Sequence, residues 1–94
     1  MENNNRNDDY PNSPWCVNAY LENSDISLES KVKKIVAFAY SCGIIQFEDG
    51  KTIFGDMNVL SELLQRGYIG PKEYSYYTHV IYDARNNKRQ LLFD

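Results

Sequence analysis

The dipeptide Asp49-Gly50, which stands between two short apolar runs, constrains the fold of this chain more than any other feature. A type I′ turn needs positive φ at both of its central residues, and Asp-Gly is one of the pairs that tolerate this conformation. Residues 43–48 and 51–54 are therefore predicted to be two antiparallel strands of one hairpin. This hairpin is the starting point for predicting a β-rich domain.

Alternating or β-branched segments predict further strands on both sides of the hairpin. In residues 15–22, apolar and polar side chains alternate with the period of two of a half-buried strand. Residues 32–40 carry β-branched, aromatic and small apolar side chains on both faces, which is typical of a central strand. Residues 74–83 and, after a turn at Asn86-Asn87, residues 90–93 are predicted as the last two strands.

One segment has the periodicity of a helix. Leu60, Leu63 and Leu64 form a stripe with the spacing i, i+3, i+4. Asn58 is the predicted N-cap, and Gly67 is the predicted residue just beyond the C-terminus. The sequence therefore places one short helix after the hairpin.

The length of 94 residues allows a single domain. Residues 1–14 are rich in Asn, Asp and Pro, and Tyr10 is their only large apolar side chain apart from Met1. Such a segment cannot bury enough surface to offset its ordering entropy, so it is predicted to be a disordered polar tail. Residues 15–94 are predicted to be one β-barrel domain, with an extra strand at 15–22 and a barrel core at 32–94.

The cysteine and histidine content argues against metal and redox sites. Cys16 and Cys42 are far apart in the sequence, and His79 is the only histidine, so no zinc ligand set is present. Both cysteines are predicted to be free thiols close to the core. Because the N-terminus lacks the layout of a signal peptide and no apolar stretch is long enough to span a membrane, an intracellular protein without a membrane partner is predicted.

Catalytic motifs are absent from the sequence. It contains no phosphate-binding loop, no zinc-protease motif and no nucleophile elbow. His79 lies in an apolar segment without a pattern that marks it as a general base. Turn chemistry accounts for Asp49, and a site formed by Glu48, Asp49 and Asp56 has little support. The chain is therefore predicted to be no enzyme, with no catalytic residue, no metal and no cofactor.

From residue 32 onward, the predicted order is three strands, one helix and two strands, which is the order of an OB-type barrel. Residues 32–93 resemble the cold-shock and S1-like barrels in length, in strand order and in the position of Gly43-Ile44-Ile45. The fold is thus predicted to be mainly β: a small five- to six-stranded antiparallel OB-like barrel with one short helix between strands 3 and 4.

The nucleic-acid-binding motifs of that family are degenerate in this sequence. In the family, aromatic rings on the second and third strands stack on bases. Two of those ring positions correspond to Cys42 and Ile44, and Ile53 and Gly55 stand where the family has Phe and His. The resemblance therefore implies the barrel more than it implies binding of bases.

Tyrosines are concentrated in the second half of the chain, and such residues are favoured at protein interfaces. The candidate partner-binding residues are Tyr68, Tyr74, Tyr76, Tyr77 and Tyr82. We predict a non-catalytic binding module of an RNA- or chromatin-associated assembly that acts mainly through a protein partner or partner peptide. A Tudor- or SH3-like reader of a methylated side chain or peptide, with cage walls from Tyr74, Tyr76 and Tyr82, is one alternative.

The other alternative is direct binding of single-stranded RNA or DNA. The net charge of −3 is uneven, because residues 1–30 carry one basic and six acidic residues, whereas residues 31–94 carry nine basic and seven acidic residues. The candidate nucleic-acid contacts are Lys31, Lys33, Lys34, Arg85, Lys88 and Arg89. Contacts of this kind follow a phosphate backbone and give a weak, salt-dependent affinity.

Overall fold

The computed structural model describes residues 15–47 and 50–91, and most of these residues are helical. In chain order, the elements are α1 (Asn18–Glu22), α2 (Leu28–Cys42), β1 (Ile44–Gln46), β2 (Thr52–Phe54), α3 (Asp56–Gln65) and α4 (Pro71–Asn86). The two strands form a two-stranded antiparallel sheet. The predicted five- to six-stranded OB-like barrel and the resemblance to cold-shock and S1-like barrels are therefore wrong.

The hairpin prediction is confirmed. β1 and β2 pair in the register Ile44 with Phe54, Ile45 with Ile53 and Gln46 with Thr52. At the turn, the Phe47 N–H donates to the Lys51 carbonyl at 2.8 Å, and Gly50 has a φ of 77°, in the left-handed region that glycine tolerates. Asp49 lies outside the described residues.

The segment 32–40, predicted as a central strand, belongs to helix α2. The Ser27 hydroxyl accepts the Ser30 N–H at the N-cap, and Gly43 ends the helix in the left-handed conformation. The apolar positions buried along α2 follow the helical spacing i, i+3, i+4 and i+7, namely Val32, Ile35, Val36 and Ala39. Apart from Lys33 and Lys34 this segment is apolar, so strand and helix periods both fit its apolar positions, and the two caps distinguish them.

The segment 74–83, also predicted as a strand, lies within helix α4. The helix begins at Pro71, which needs no hydrogen-bond acceptor at the first helical position because it has no N–H. The Glu73 carboxylate accepts the Gly70 N–H at 3.0 Å, which satisfies a further backbone donor. The side chains buried along α4 are Tyr77, Ile81 and Ala84, at the helical spacing i, i+4 and i+7.

Two more strand predictions at the ends of the domain are wrong. In residues 15–22, only a single parallel bridge between Cys16 and Gln46 is strand-like, and residues 18–22 form the short helix α1. Of residues 90–93, the first two belong to no strand, and the last two lie outside the described residues.

The helix predicted around the leucine stripe is confirmed as α3. Leu60 and Leu63 are fully buried, and Leu64 is half-buried. The predicted N-cap is wrong, because Gly55 occupies that position and the Asn58 amide instead donates to the Phe54 carbonyl at 2.8 Å.

Helix α3 is the central element of the core, since it packs against α2, α4 and both strands. α2 and α4 both pack against α3. The Tyr40 side chain, near the end of α2, reaches the chain just beyond α4, where its hydroxyl donates to the Arg89 carbonyl at 3.2 Å. The first turns of α2 and α4 line one open groove.

An ion-pair network centred on the buried Glu62 joins the hairpin to α3. The Arg66 Nε donates to the Glu62 carboxylate at 2.7 Å, and the Lys51 Nζ lies 3.4 Å from the same carboxylate. The Arg66 guanidinium also lies 4.5 Å from the centre of the Phe47 ring. The hydrogen bond from Arg66 lowers the pKa of the Glu62 carboxyl, Lys51 contributes in the same direction, and burial opposes them.

We expect the substitution Leu63→Ala to lower the free energy of unfolding by about 2–5 kcal/mol, because it removes a fully buried side chain from the centre of the core. Leu64→Ala is the matched control on the same helix and should cost clearly less, since Leu64 is only half-buried. Urea denaturation followed by circular dichroism measures both values. Equal losses would contradict the described orientation of α3.

We expect the stability difference between the wild-type chain and Glu62→Gln to depend on pH. Because the folded-state pKa of Glu62 lies below its unfolded value, its contribution is complete above the unfolded pKa and is lost as pH falls through the folded pKa. Urea unfolding at a series of pH values from about 7 to about 3 measures this difference. Glu29→Gln removes an exposed carboxylate and is the control. A difference that stays constant over this range would contradict the network.

Candidate binding groove

The groove lies where the first turns of α2 and α4 and the loop between α3 and α4 come together. Its volume is about 710 Å³, and it is open to solvent. α2 forms one wall, from Leu28 to Lys33, and α4 forms the other, from Lys72 to Tyr77. The loop residues 67–70 close the end between the two helices.

The apolar part of the groove has exposed and buried components. Leu28 and Tyr76 stand on opposite walls, and 45% and 54% of their respective surfaces are exposed. Val32 and Ile69 are buried and line the inner side. Exposed apolar side chains that border one concave surface mark interaction sites more often than isolated ones do.

Three of the five predicted partner-binding tyrosines line the groove: Tyr68, Tyr76 and Tyr77. The rings of Tyr76 and Tyr77 meet edge to face, with centres 5.1 Å apart. Burial raises the pKa of the Tyr77 hydroxyl, and the nearby Glu29 carboxylate raises it further. A tyrosine hydroxyl is already neutral at physiological pH at its ordinary pKa, so this shift changes no charge in the groove.

The other two predicted tyrosines lie elsewhere. Tyr74 is half-buried and packs against the core, and Tyr82 is half exposed further along α4. Residues two apart on a helix point about 200° apart, so Tyr74 and Tyr76 face opposite sides of α4. The aromatic cage predicted from Tyr74, Tyr76 and Tyr82 is therefore not assembled, because it required a strand.

The charged side chains along the groove differ in how they are paired. The Lys33 Nζ lies 3.1 Å from the Glu29 carboxylate, and Glu73 uses one carboxylate oxygen to accept the Gly70 N–H. Lys72 is exposed and has no ion-pair partner within residues 15–47 and 50–91. The groove lining thus holds two cations, Lys33 and Lys72, and two carboxylates, Glu29 and Glu73, so its formal charges sum to zero.

Of the predicted nucleic-acid contacts on α2, only Lys33 reaches the groove. Lys31 is buried, and its Nζ donates to the Leu21 carbonyl at 2.8 Å. The Lys34 Nζ lies 6.0 Å from the centre of the Trp15 ring and 5.5 Å from the centre of the Tyr20 ring. These three lysines point in different directions because consecutive helical positions are about 100° apart.

The predicted contacts near the end of α4 are largely used within the chain. Arg85 forms an ion pair with Asp56, and Arg89 forms one with Asp83. Lys88 is exposed just beyond the helix, in the left-handed conformation. The structure does not bring this group together with the lysines of α2, so the six residues form no continuous basic surface.

Prediction from the sequence missed Leu28, Ile69 and Lys72 as residues of a site. Two local signals at the helix starts were available. Ser27 precedes an apolar position, and Gly70-Pro71 is followed by Glu73 at a capping position. Recognising both starts places Leu28 and Lys72 in the first turns of two helices, although it does not show that those turns are neighbours.

Within the described parts of the chain, no three residues of the types that bind metals come together, and no helix has the length and apolar character needed to cross a bilayer. Cys16 and Cys42 are free thiols, and both are exposed, so their predicted position near the core is wrong. Comparisons with protein-family models, curated proteins and solved structures found no match.

We expect a fluorescent single-stranded oligonucleotide to bind this chain no more tightly than about micromolar at about 50 mM salt, because most of the candidate cations are paired or buried. Fluorescence anisotropy measures the affinity. A submicromolar Kd that falls steeply with added salt would instead support direct nucleic-acid binding.

Proposed function

We propose that this chain is a non-catalytic binding module that holds a short segment of a partner protein in the groove between α2 and α4. One observation carries the proposal: two of the four large apolar side chains exposed in the described residues, Leu28 and Tyr76, face each other across this groove. Removing apolar surface of this kind from water is favourable, so a partner that covers it gains binding free energy.

The composition and shape of the groove suit a polypeptide. Tyr68 and Tyr76 offer rigid contact area with polar tips, which is the chemistry enriched at protein interfaces. A volume of about 710 Å³ accommodates a few side chains rather than the face of a whole domain. The bound segment therefore inserts one or two apolar side chains between the walls, while its backbone lies over the rim.

A binding role is favoured over catalysis by how the acid–base groups of the described residues are used. The His79 Nδ1 lies 2.9 Å from the Ser75 carbonyl of its own helix. Asp56 is paired with Arg85, and Glu62 is held in the network of α3. None of these three groups lies in the groove. Of the carboxylates that do, Glu29 is paired with Lys33, and Glu73 accepts the Gly70 N–H.

The proposal names a narrower class of partner than the one predicted from the sequence. An RNA- or chromatin-associated assembly was inferred from the barrel resemblance, which is wrong, so the proposal is limited to a protein partner. Two free, exposed thiols, Cys16 and Cys42, support a reducing intracellular compartment, since exposed thiols tend to oxidise outside the cell.

Selection of a phage-displayed peptide library on the full chain tests the proposal. We expect enriched peptides whose affinity falls about tenfold or more in Leu28→Ala and in Tyr76→Ala, because each removes an apolar contact at the centre of the site. Isothermal titration calorimetry measures the affinities.

Tyr82→Ala is the matched control, since Tyr82 lies on the same helix and is 50% exposed, close to the 54% of Tyr76, but lies outside the groove. The Tyr82→Ala variant should bind the enriched peptides with the same affinity as the wild-type chain. Failure to enrich any peptide, or peptides that bind the Tyr76→Ala variant unchanged, would rule out the groove as the binding site.

A further inference from the structure

We infer that the outer edge of β2 pairs with the same edge of a second copy of the chain, so that two hairpins form one antiparallel sheet about a twofold axis at Thr52. β2 is not part of the groove lining, so this pairing does not rest on the proposed function. Three features support it: the direction of the backbone groups of β2, the length of its free edge and the side chains beside that edge.

The hydrogen bonds of β1 show which backbone groups of β2 face outward. The Gln46 N–H donates to the Trp15 carbonyl at 2.9 Å, and the Gln46 carbonyl accepts the Val17 N–H at 3.0 Å. Both backbone groups of Gln46 thus point away from β2, and an antiparallel pair of this kind exchanges no hydrogen bonds. Because Gln46 pairs with Thr52, the N–H and carbonyl of Thr52 point away from β1. Neither has a partner within residues 15–47 and 50–91.

The free edge of β2 is short, because the groups at its two ends are used within the chain. The backbone of Phe54 also faces outward, since directions alternate along a strand, but its carbonyl accepts the Asn58 amide at 2.8 Å. At the turn, the Gly50 N–H donates to the Phe47 carbonyl at 3.0 Å. A longer strand gains no further bonds along such an edge, whereas a second copy presents an edge of equal length.

One antiparallel register satisfies the outward groups that remain. With Thr52 opposite Thr52 of the second copy, the two residues exchange both of their backbone hydrogen bonds. In this register Phe54 lies opposite Gly50 of the second copy, and the Phe54 N–H donates to the Gly50 carbonyl. The reciprocal bond is not needed, because its donor and acceptor are the two groups already bonded within each chain. A twofold interface repeats these contacts on both sides of the axis.

The side chains beside the edge suit this register. Phe54 is 65% exposed, more than any other large apolar side chain of the described residues. The residue opposite it would be a glycine, whose backbone an aromatic ring covers favourably. Two threonines that face each other across strands also stabilise a sheet. Lys51 would lie opposite Ile53 of the second copy, so within residues 50–54 no like charges face each other.

Sedimentation velocity of the full chain from about 10 µM to about 1 mM tests the inference. We expect a weak dimer with a Kd on the order of 0.1 mM, because the interface is small. Thr52→Lys and Thr52→Glu, each alone, should weaken the dimer about tenfold or more, since the axis places two like charges opposite each other. An equimolar mixture of the two variants should restore the dimer, because lysine then faces glutamate.

Gln46→Lys and Gln46→Glu are the matched controls. Gln46 is the cross-strand neighbour of Thr52 on the same face of the sheet, but it lies one strand further from the axis. Each control should dimerise like the wild-type chain, and circular dichroism checks the fold of every variant. Phe54→Ala leaves the backbone of the edge intact and should weaken the dimer several-fold, whereas Tyr82→Ala, which removes another exposed ring, should not.

Three outcomes would overturn the inference. The first is a wild-type chain that remains monomeric at about 1 mM. The second is a mixture of folded Thr52→Lys and Thr52→Glu chains that stays monomeric, or Gln46 controls that lose the dimer to the same extent. The third is a dimer that Tyr76→Ala abolishes and both Thr52 variants retain, because self-association would then belong to the groove. The library selection decides the proposed function independently of all three.

Discussion

The burial of helix α3 between its neighbours is the interaction on which the rest of the structure depends. Leu60 and Leu63 are fully buried, and α3 contacts α2, α4 and the hairpin. A helix buried on several sides holds its neighbours apart as well as together, since side chains in protein cores are close-packed and leave little room for rearrangement. The groove itself is lined by the first turns of α2 and α4 and by residues 67–70, the loop that follows α3.

The polar interactions of the molecule serve two different purposes. The pairing of Glu62 with Arg66 and Lys51 is internal and fixes the hairpin on α3. At the groove the balance differs, because Lys72 is unpaired among the described residues and the adjacent apolar side chains are exposed. The interior thus satisfies its charges internally, and the groove leaves both apolar surface and charge available to a ligand.

The positions of basic residues in the sequence do not show which of their side chains are available for contacts at the surface. Arg85 and Arg89 suggested a phosphate-binding group, yet both form ion pairs with acidic residues of the same chain. Lys31 suggested a surface contact, yet it is buried and donates to a backbone carbonyl. A charge near others in the sequence has no fixed role, because its partner is chosen by which elements pack together.

The sequence by itself determined the hairpin and helix α3, since a turn dipeptide and a leucine stripe act over a few residues. It also indicated tyrosines as contact residues, and three of them line the groove. The side-chain patterns of residues 32–40 and 74–83 fit a strand as well as a helix, and the start signals at Ser27 and Gly70-Pro71 are the local features that favour the helices observed. Only the tertiary structure placed Leu28 and Tyr76 on the walls of one groove, because that depends on how α2 and α4 pack against α3, which local patterns do not encode.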